Sequence, residues 1–208
     1  MPKNWNIGMS KASETGREKR GLVLIGSLGV AIGLLGCVAL PFLSVPARAR
    51  LGRIPWMATP NHIVTTAFNT LETELHAKSP KILVDLGSGD GRLVIHAAKL
   101  GYKAIGYELN YVLVGLSYVN AFRAGVLHKV EFKIADFWKS DLSGVSVVAC
   151  FGVRGVMDRL HKLVLKTTSN PRSEALSVLL FRFPLPESAK RHLIFNKDEL
   201  FIYKFEAR

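Results

Sequence analysis

The chain has 208 residues, of which 49% are apolar, 21% are charged and two are cysteines. This length fits one catalytic-sized domain with an appendage and excludes a second large domain. The composition is too apolar for a disordered protein, and too few cysteines are present for a disulfide scaffold or a cysteine-based zinc site. The formal charge is +12, and half of this excess lies in residues 1–60, where it flanks a hydrophobic run. Such a distribution is typical of membrane-flanking charge, so no nucleic-acid partner is predicted.

The hydrophobic run predicts a membrane anchor. Residues 21–47 contain no charged side chain, and residues 22–40 are apolar apart from glycines and one serine. A helix of about 20 residues spans the roughly 30 Å of bilayer hydrocarbon, and the run is too long for the apolar part of a signal peptide. We therefore expect a single-pass transmembrane helix. The predicted organisation is a basic N-terminal segment (1–20), the transmembrane helix (21–45), a basic linker (46–58) and one catalytic-sized domain (59–208).

The domain after the linker begins with a helix and continues as alternating strands and helices. Thr59 and Pro60 are typical of a helix start, and apolar residues follow at helical spacing to about Ala77. The pattern then predicts strands over 82–86, 104–108, 130–134, 145–151 and 176–183, and helices over 92–100, 112–124 and 156–166. Two last apolar runs, 193–195 and 200–205, flank Asn196-Lys197-Asp198 and predict a closing antiparallel hairpin. This alternation predicts an α/β fold with a mostly parallel sheet between two layers of helices.

A glycine-rich turn after the first strand is the main candidate for a ligand site. Residues 84–92 are Val-Asp-Leu-Gly-Ser-Gly-Asp-Gly-Arg, so a strand leads through Gly87, Gly89 and Gly91 into a helix. Glycines let the backbone approach a ligand closely, and a helix N-terminus favours polar or negative groups. The spacing differs from the fingerprint that binds a dinucleotide pyrophosphate. Asp85 and Asp90 would repel a diphosphate and would suit a cationic ligand that carries an amine.

Two further acids follow the next two strands. Glu108 ends the second strand, where a carboxylate can accept hydrogen bonds from both ribose hydroxyls of a nucleoside. Asp136 and Phe137 follow the third strand, where an acid and a ring could hold the amino group and the face of an adenine. Carboxyl ends of parallel strands meet at one edge of a sheet, so these residues are expected near the glycine turn. The six histidines have no metal-ligand spacing, and no metal site is predicted.

These segments resemble a known family. Residues 84–92 resemble motif I of class I S-adenosylmethionine-dependent methyltransferases, and Tyr107-Glu108-Leu109-Asn110 resembles the acidic motif that follows it. Together with residues 136–139, 151–153 and 182–186, they resemble the mitochondrial, membrane-anchored protein-lysine methyltransferases that act on the ATP synthase c-subunit or the adenine nucleotide translocase. The resemblance implies a Rossmann-like, mostly parallel seven-stranded sheet with a C-terminal antiparallel hairpin, preceded by one transmembrane helix. It also implies S-adenosyl-L-methionine as cofactor, bound by Asp85, Gly87, Ser88, Gly89, Asp90, Gly91, Glu108, Leu109, Asp136 and Phe137.

The resemblance further implies methylation of a lysine in a protein of the mitochondrial inner membrane. The c-subunit is the favoured substrate, because Phe151-Gly-Val153 is more similar to the c-subunit enzyme than to the translocase enzyme. A free lysine is neutral about one time in 2,500 at pH 7, yet no residue stands out as the proton acceptor, so the catalytic residues stay unassigned. Trp138 is interpreted as a packing residue in preference to a lysine-channel residue. Three alternatives stay open: a translocase methyltransferase, a membrane phospholipid or small-amine methyltransferase, and a non-enzymatic membrane scaffold.

Overall fold

The computed structural model describes residues 59–74, 81–169 and 175–206 of the chain. The predicted basic segment, transmembrane helix and linker, which together cover residues 1–58, lie outside these ranges. Within the described ranges, no helix combines the length and the apolar character needed to cross a membrane.

The described residues alternate between helices and strands in the predicted order. The longer elements are α1 (Asn61–Glu74), β1 (Ile82–Leu86), α2 (Arg92–Lys99), β2 (Lys103–Glu108), α3 (Tyr111–Arg123), β3 (Val130–Ile134), β4 (Val147–Phe151), α4 (Met157–Thr168), β5 (Leu176–Phe181), β6 (Leu193–Lys197) and β7 (Leu200–Phe205). Short 3-10 turns occupy Leu127–Lys129, Phe137–Lys139, Arg154–Val156 and Glu187–His192. The α/β alternation confirms the fold class predicted from the apolar periodicity.

The strands form one seven-stranded sheet in the order β3-β2-β1-β4-β5-β7-β6. Strands β1 to β5 are parallel, whereas β7 is antiparallel to both β5 and β6. From β1 the chain builds outward through β2 and β3 on one side and then through β4 and β5 on the other. This reversal creates a crevice at the carboxyl ends of β1 and β4, which is where open α/β sheets bind ligands. The predicted mostly parallel sheet with a C-terminal antiparallel hairpin is confirmed.

Helices cover both faces of the sheet because the strands are apolar on both faces. All six residues of β5 are buried. On one face α1, α2 and α3 pack against the sheet, and α1 contributes Val64, Phe68 and Leu71 at helical spacing. On the other face α4 contributes Leu160 and Val164. The two apolar layers hold the carboxyl edge of the sheet in place.

The structure corrects two predicted boundaries at the C-terminal end. Strand β5 ends at Phe181, two residues earlier than predicted, because Arg182 adopts a left-handed φ of 81° that leaves the strand. The hairpin turn lies at Asp198 and Glu199, with φ of 51° and 62°, instead of at residues 196–198. Two successive left-handed residues match the twist of the flanking strands, so β6 continues to Lys197 before the chain reverses.

Candidate active site

The glycine turn joins β1 to α2 through left-handed backbone. Gly87, Gly89 and Gly91 have φ of 98°, 54° and 79°, a region that glycine enters without strain. A Cβ at Gly91 would also lie 2.8 Å from the Phe132 ring and from Cβ of Ser117. The backbone N–H groups at the start of the turn donate to the Tyr107 carbonyl of β2, at 2.9 and 3.0 Å. The turn is therefore anchored on β2 and pressed against α3 and β3.

An open cleft lies at this carboxyl edge of the sheet. Its lining consists of Thr59, Asp85, Gly87, Ser88, Gly89, Asp90, Arg92, Leu93, Phe151 and Phe181. Asp85 and the predicted contacts of the glycine turn thus line the same cleft as two residues that were not predicted. These are Phe151 at the end of β4 and Phe181 at the end of β5. The two phenylalanines add apolar surface to a lining that is otherwise mostly polar.

Asp85 is the buried acid of the cleft. Only 5% of the residue is exposed. Burial raises the pKa of Asp85 from 3.8 to about 7, and the negative charges of Glu108 and Asp90 add to the effect. None of the described residues donates a hydrogen bond to this carboxylate. A buried acid without a partner is costly, and a ligand ammonium group in the cleft would offset that cost.

Glu108 is held by three backbone donors at the end of β2. Its Oε2 accepts a hydrogen bond from the Gly89 N–H at 3.1 Å, and its Oε1 accepts from the N–H groups of Leu109 at 2.8 Å and Asn110 at 2.9 Å. The carboxylate therefore lies directly beside the glycine turn, as the strand order predicted. Since an ionised carboxylate has about four acceptor positions, it can also receive hydroxyl donors from a ligand.

Asp90 differs from Asp85 in having a partner within the protein. Arg92 donates to its carboxylate from Nη2 at 2.7 Å and from Nε at 3.1 Å. The same guanidinium donates from Nη1 to the Thr59 carbonyl at 3.2 Å. Arg92 thereby neutralises Asp90 and ties the turn to the residue that precedes α1. Asp85 and Asp90 both line the cleft, whereas Glu108 lies beside the glycine turn and not in the cleft lining.

Asp136 and Phe137 lie beyond Glu108 at the same edge of the sheet. The Ala135 N–H donates to the Glu108 carbonyl at 3.2 Å, which places the end of β3 beside the end of β2. The Asp136 carboxylate accepts a hydrogen bond from the backbone N–H of Trp138 at 3.1 Å. The Phe137 ring packs on the Trp138 ring, with the ring centroids 4.6 Å apart. Neither Asp136 nor Phe137 lines the cleft itself. The face of Trp138 is occupied by the Arg159 guanidinium at 4.1 Å, which agrees with a packing role.

Two residues of α3 that the sequence analysis did not predict as part of the site donate hydrogen bonds to the glycine turn. Ser117 is completely buried, and its Oγ lies 2.9 Å from the Gly89 carbonyl, to which it donates. Asn120 donates from Nδ2 to the Asp90 carbonyl at 3.0 Å. Both are polar residues on a helix whose inward face is otherwise apolar. That pattern was the available signal, but it does not indicate which loop the side chains reach.

The described groups fit a nucleoside joined to a cationic amino acid. The glycine turn permits close backbone approach, Asp85 offers a partner for an amine, and Glu108 offers acceptors for ribose hydroxyls. S-adenosylmethionine carries all of these groups. The charge of the site also disfavours a diphosphate, because no described basic side chain other than the already paired Arg92 lines the cleft.

Comparisons with known proteins agree with this chemistry. The sequence model of one family, the ANTKMT methyltransferase domain, matches residues 85–192. The ATP synthase c-subunit lysine N-methyltransferase of Xenopus laevis is 37% identical over 185 residues, which cover 89% of this chain and 77% of that protein. The adenine nucleotide translocase lysine N-methyltransferase of Mus musculus is 34% identical over 176 residues, or 82% of this chain and 72% of that protein.

A solved structure shares the fold. The RNA methyltransferase from Salinibacter ruber, in complex with S-adenosyl-L-homocysteine, superposes with a TM-score of 0.61 at 26% identity. The match covers 73% of this chain and 94% of that one. The family model spans the glycine turn, Glu108 and the segment after β5, and the curated relatives extend the match over most of the chain. The resemblance inferred from the sequence motifs is confirmed: the chain belongs to the family of the ANTKMT methyltransferase domain and is a methyltransferase.

Proposed function

We propose that this methyltransferase transfers a methyl group from S-adenosylmethionine to a lysine of the ATP synthase c-subunit at a mitochondrial membrane. The observation that carries the proposal is the 37% identity over 89% of the chain to a relative named for that activity. Four further relatives from mouse, rat, human and nematode with the same name are 32% to 38% identical.

We assign the cofactor contacts from the geometry of the cleft. Asp85 receives the amino group of the methionine part, and Glu108 receives the ribose hydroxyls. The turn from Gly87 through Ser88, Gly89 and Asp90 to Gly91 supplies the close backbone wall. Leu109, Asp136 and Phe137 follow the same sheet edge and border the adenine. The burial of the Asp85 carboxylate, which has no hydrogen-bond donor among the described residues, and the position of Glu108 beside Gly89 support this assignment.

The methyl donor supplies a sulfonium, whose methyl group is already an activated electrophile. The lysine Nζ forms the new N–C bond while the S–C bond breaks, and one proton leaves the amine for solvent. Keeping the amine neutral at pH 7 costs about 4.6 kcal/mol for a free lysine. Phe151 and Phe181 line the cleft and exclude water from the approaching amine, and desolvation favours its neutral form. The residues of the chain thus act by binding and orienting the two substrates and by excluding water from the site.

The proposed membrane location comes from residues 21–45, the predicted single-pass anchor, and from the basic linker that follows it. A tether raises the effective concentration of a target in the same membrane, so a modest recognition surface suffices. We place the protein in the inner mitochondrial membrane, because the proposed substrate is a membrane component of the ATP synthase.

The test is the methylation state of the c-subunit in mitochondria that lack this protein. We expect the c-subunit mass to fall by about 14 Da per missing methyl group. Wild-type protein should restore the mass and Asp85→Ala should not, while Asp158→Ala, which removes an exposed acid at the start of α4, should restore it.

Other results would redirect the proposal. The adenine nucleotide translocase is the second candidate, because the family model is named for its enzyme and a relative with that activity is 34% identical. If the translocase loses its methylation while the c-subunit keeps its own, the translocase is the substrate. If both proteins keep their methyl groups and a phospholipid or small amine loses its own, the protein-lysine assignment is wrong. If no methyl acceptor changes and S-adenosylmethionine does not bind, the scaffold alternative is correct.

A further inference from the structure

The side of the domain formed by α3 and β3 exposes much of its apolar surface. Ten large apolar side chains are exposed among the described residues, and eight of these lie between positions 109 and 134. Strand β3 is an outer strand of the sheet, and α3 packs beside it. We call the outward surface of this region the α3 face, defined by Tyr111, Leu116, Tyr118, Val119, Phe122 and Ile134.

Helix α3 is apolar on both of its sides. Its inward side is buried against the sheet through Leu113, Val114 and Ala121. On its outward side Phe122 is 73% exposed and Tyr111 is 56% exposed. A helix that is hydrophobic all round is usually covered on all sides, whereas a surface helix keeps polar residues outward. The outward side therefore has the composition of a contact surface.

Basic side chains border the α3 face. Between positions 109 and 134 the sequence contains Arg123, Lys129 and Lys133 and a single acid, Glu131. Lys133 forms an ion pair with Glu131 at 3.4 Å, so Arg123 and Lys129 account for the net positive charge. Aromatic and aliphatic side chains flanked by arginine and lysine are typical of helices that lie in the interface of an anionic bilayer. A positively charged surface of this kind is complementary to lipid phosphates.

We propose that the α3 face docks on the surface of an anionic bilayer, with Val119 and Phe122 at the boundary between headgroups and acyl chains. Arg123 and Lys129 then lie at the level of the phosphates. This inference rests on the proposed function for the presence of the protein at a membrane. The occupant of the face is the lipid surface, and neither a second copy of the chain nor a separate protein is required.

The position of the tether agrees with this occupant. The linker at residues 46–58 can extend to at most about 45 Å, so an anchored domain stays near the bilayer. The linker reaches the domain at Thr59, which lines the cleft, and α3 begins at the same edge of the sheet, just after Glu108. Docking through α3 would hold the cleft beside the membrane surface, where a lysine in a loop of a membrane protein is accessible.

Site-directed spin labelling of the full-length protein in lipid nanodiscs tests the docking. The label is introduced by Phe122→Cys on the α3 face and by Ile194→Cys on β6, the opposite outer strand, in a Cys37→Ser background. The remaining thiol, Cys150, is buried and stays unlabelled. Nanodiscs contain phosphatidylcholine with or without about 30% phosphatidylglycerol. We expect the label at 122 to be more accessible to oxygen than to a water-soluble nickel chelate, most strongly with phosphatidylglycerol, and the label at 194 to show the reverse.

Two results overturn the docking. A label at 122 that is as accessible to the nickel chelate as the label at 194 means that the face is in water. A label at 122 that is shielded from both reagents, in nanodiscs and in detergent alike, means that a protein surface covers the face, either a second copy or another part of the chain.

A functional measurement separates this inference from the proposed function. The double variant Val119→Gln, Phe122→Gln should methylate the c-subunit in anionic vesicles about fivefold more slowly, with unchanged affinity for S-adenosylmethionine, whereas Ile194→Gln should match wild type. Equal rates for all three proteins contradict the docking. If the label enters lipid but wild-type protein leaves the c-subunit unmethylated, the docking stands and the substrate assignment fails. If the c-subunit is methylated while the label is in water, the assignment stands and the docking fails.

Discussion

Replacing Asp85 by asparagine should change the pH dependence of stability in a predictable direction. In the folded protein burial raises the pKa of this carboxyl to about 7, against 3.8 for an ordinary aspartate. Between these two values the folded protein keeps a proton that the unfolded chain releases, so raising the pH through this range destabilises the wild-type fold. The side-chain amide of asparagine does not titrate in this range, so the stability of the variant lacks this pH dependence.

The magnitude follows from the two pKa values. From pH 5 to pH 8 the carboxyl costs the wild-type fold about 2.5 kcal/mol, which the asparagine variant does not lose. The free energy of unfolding of Asp85→Asn minus that of wild type should therefore rise by about this amount over the range. Any pH-independent effect of the substitution on packing cancels in this comparison.

The measurement is urea denaturation of the full-length protein in a mild detergent at several pH values. Ile194→Gln, an uncharged substitution at an exposed position on β6, is the control, and its difference from wild type should stay constant with pH because it changes no titrating group. A constant difference for Asp85→Asn as well, or one that falls with pH, would refute the argument from burial. A second arm uses the cofactor: because the ammonium needs an ionised partner, affinity for S-adenosylmethionine should fall by up to about tenfold per pH unit below 7 in wild type and stay nearly flat in the variant.

Three further predictions concern the turn, its surroundings and the anchor. Glu108→Ala should weaken S-adenosylmethionine binding by about 1.5 to 3 kcal/mol in calorimetry, since charge-assisted acceptors are lost, and unchanged affinity in a folded variant would contradict the ribose assignment. Gly106→Ala should destabilise the fold by about 1 to 3 kcal/mol, because its Cβ would lie 2.6 Å from Oγ of Ser88. Gly115→Ala, with open space on α3, should instead stabilise it by about 0.5 to 1 kcal/mol, and equal effects would refute the packing argument. The anchor at residues 21–45 should keep the full-length protein in membranes during alkaline carbonate extraction, and release of the intact chain would contradict it.

The strands were predictable because each is a short apolar run between turn residues. Such a run fits a strand buried on both faces, as all six residues of β5 are. The errors came where a non-glycine residue turns the backbone left-handed, at Arg182 and at the Asp198-Glu199 turn. Residue type does not predict these backbone conformations, because the pairing of β7 with β5 and β6 imposes them.

The candidate site divides in the same way between local and distant information. The glycine turn and Glu108 were identifiable because topology alone brings the carboxyl ends of parallel strands to one edge. The supporting bonds from Ser117 and Asn120 join residues 28 and 30 positions apart, and the packing of α3 decides them. Phe151 and Phe181 were predicted to lie in strands but were not predicted to line the cleft. Whether they reach the cleft depends on where β4 and β5 end.

Asp85 and Asp90 show why residue type alone does not assign a role. Both acids lie in one short segment, and charge counting treats them alike. Asp90 faces Arg92 two positions along the chain, so its charge is neutralised inside the protein and its carboxylate braces the turn. Asp85 lies near the end of the central strand β1, between β2 and β4, where no cation of the described residues pairs with it, so its carboxyl is left uncompensated by them. Above pH 7, where this carboxyl is ionised, a positive group that enters the cleft offsets the free energy lost there. Cofactor affinity and the stability of the free protein are therefore coupled with opposite signs at Asp85.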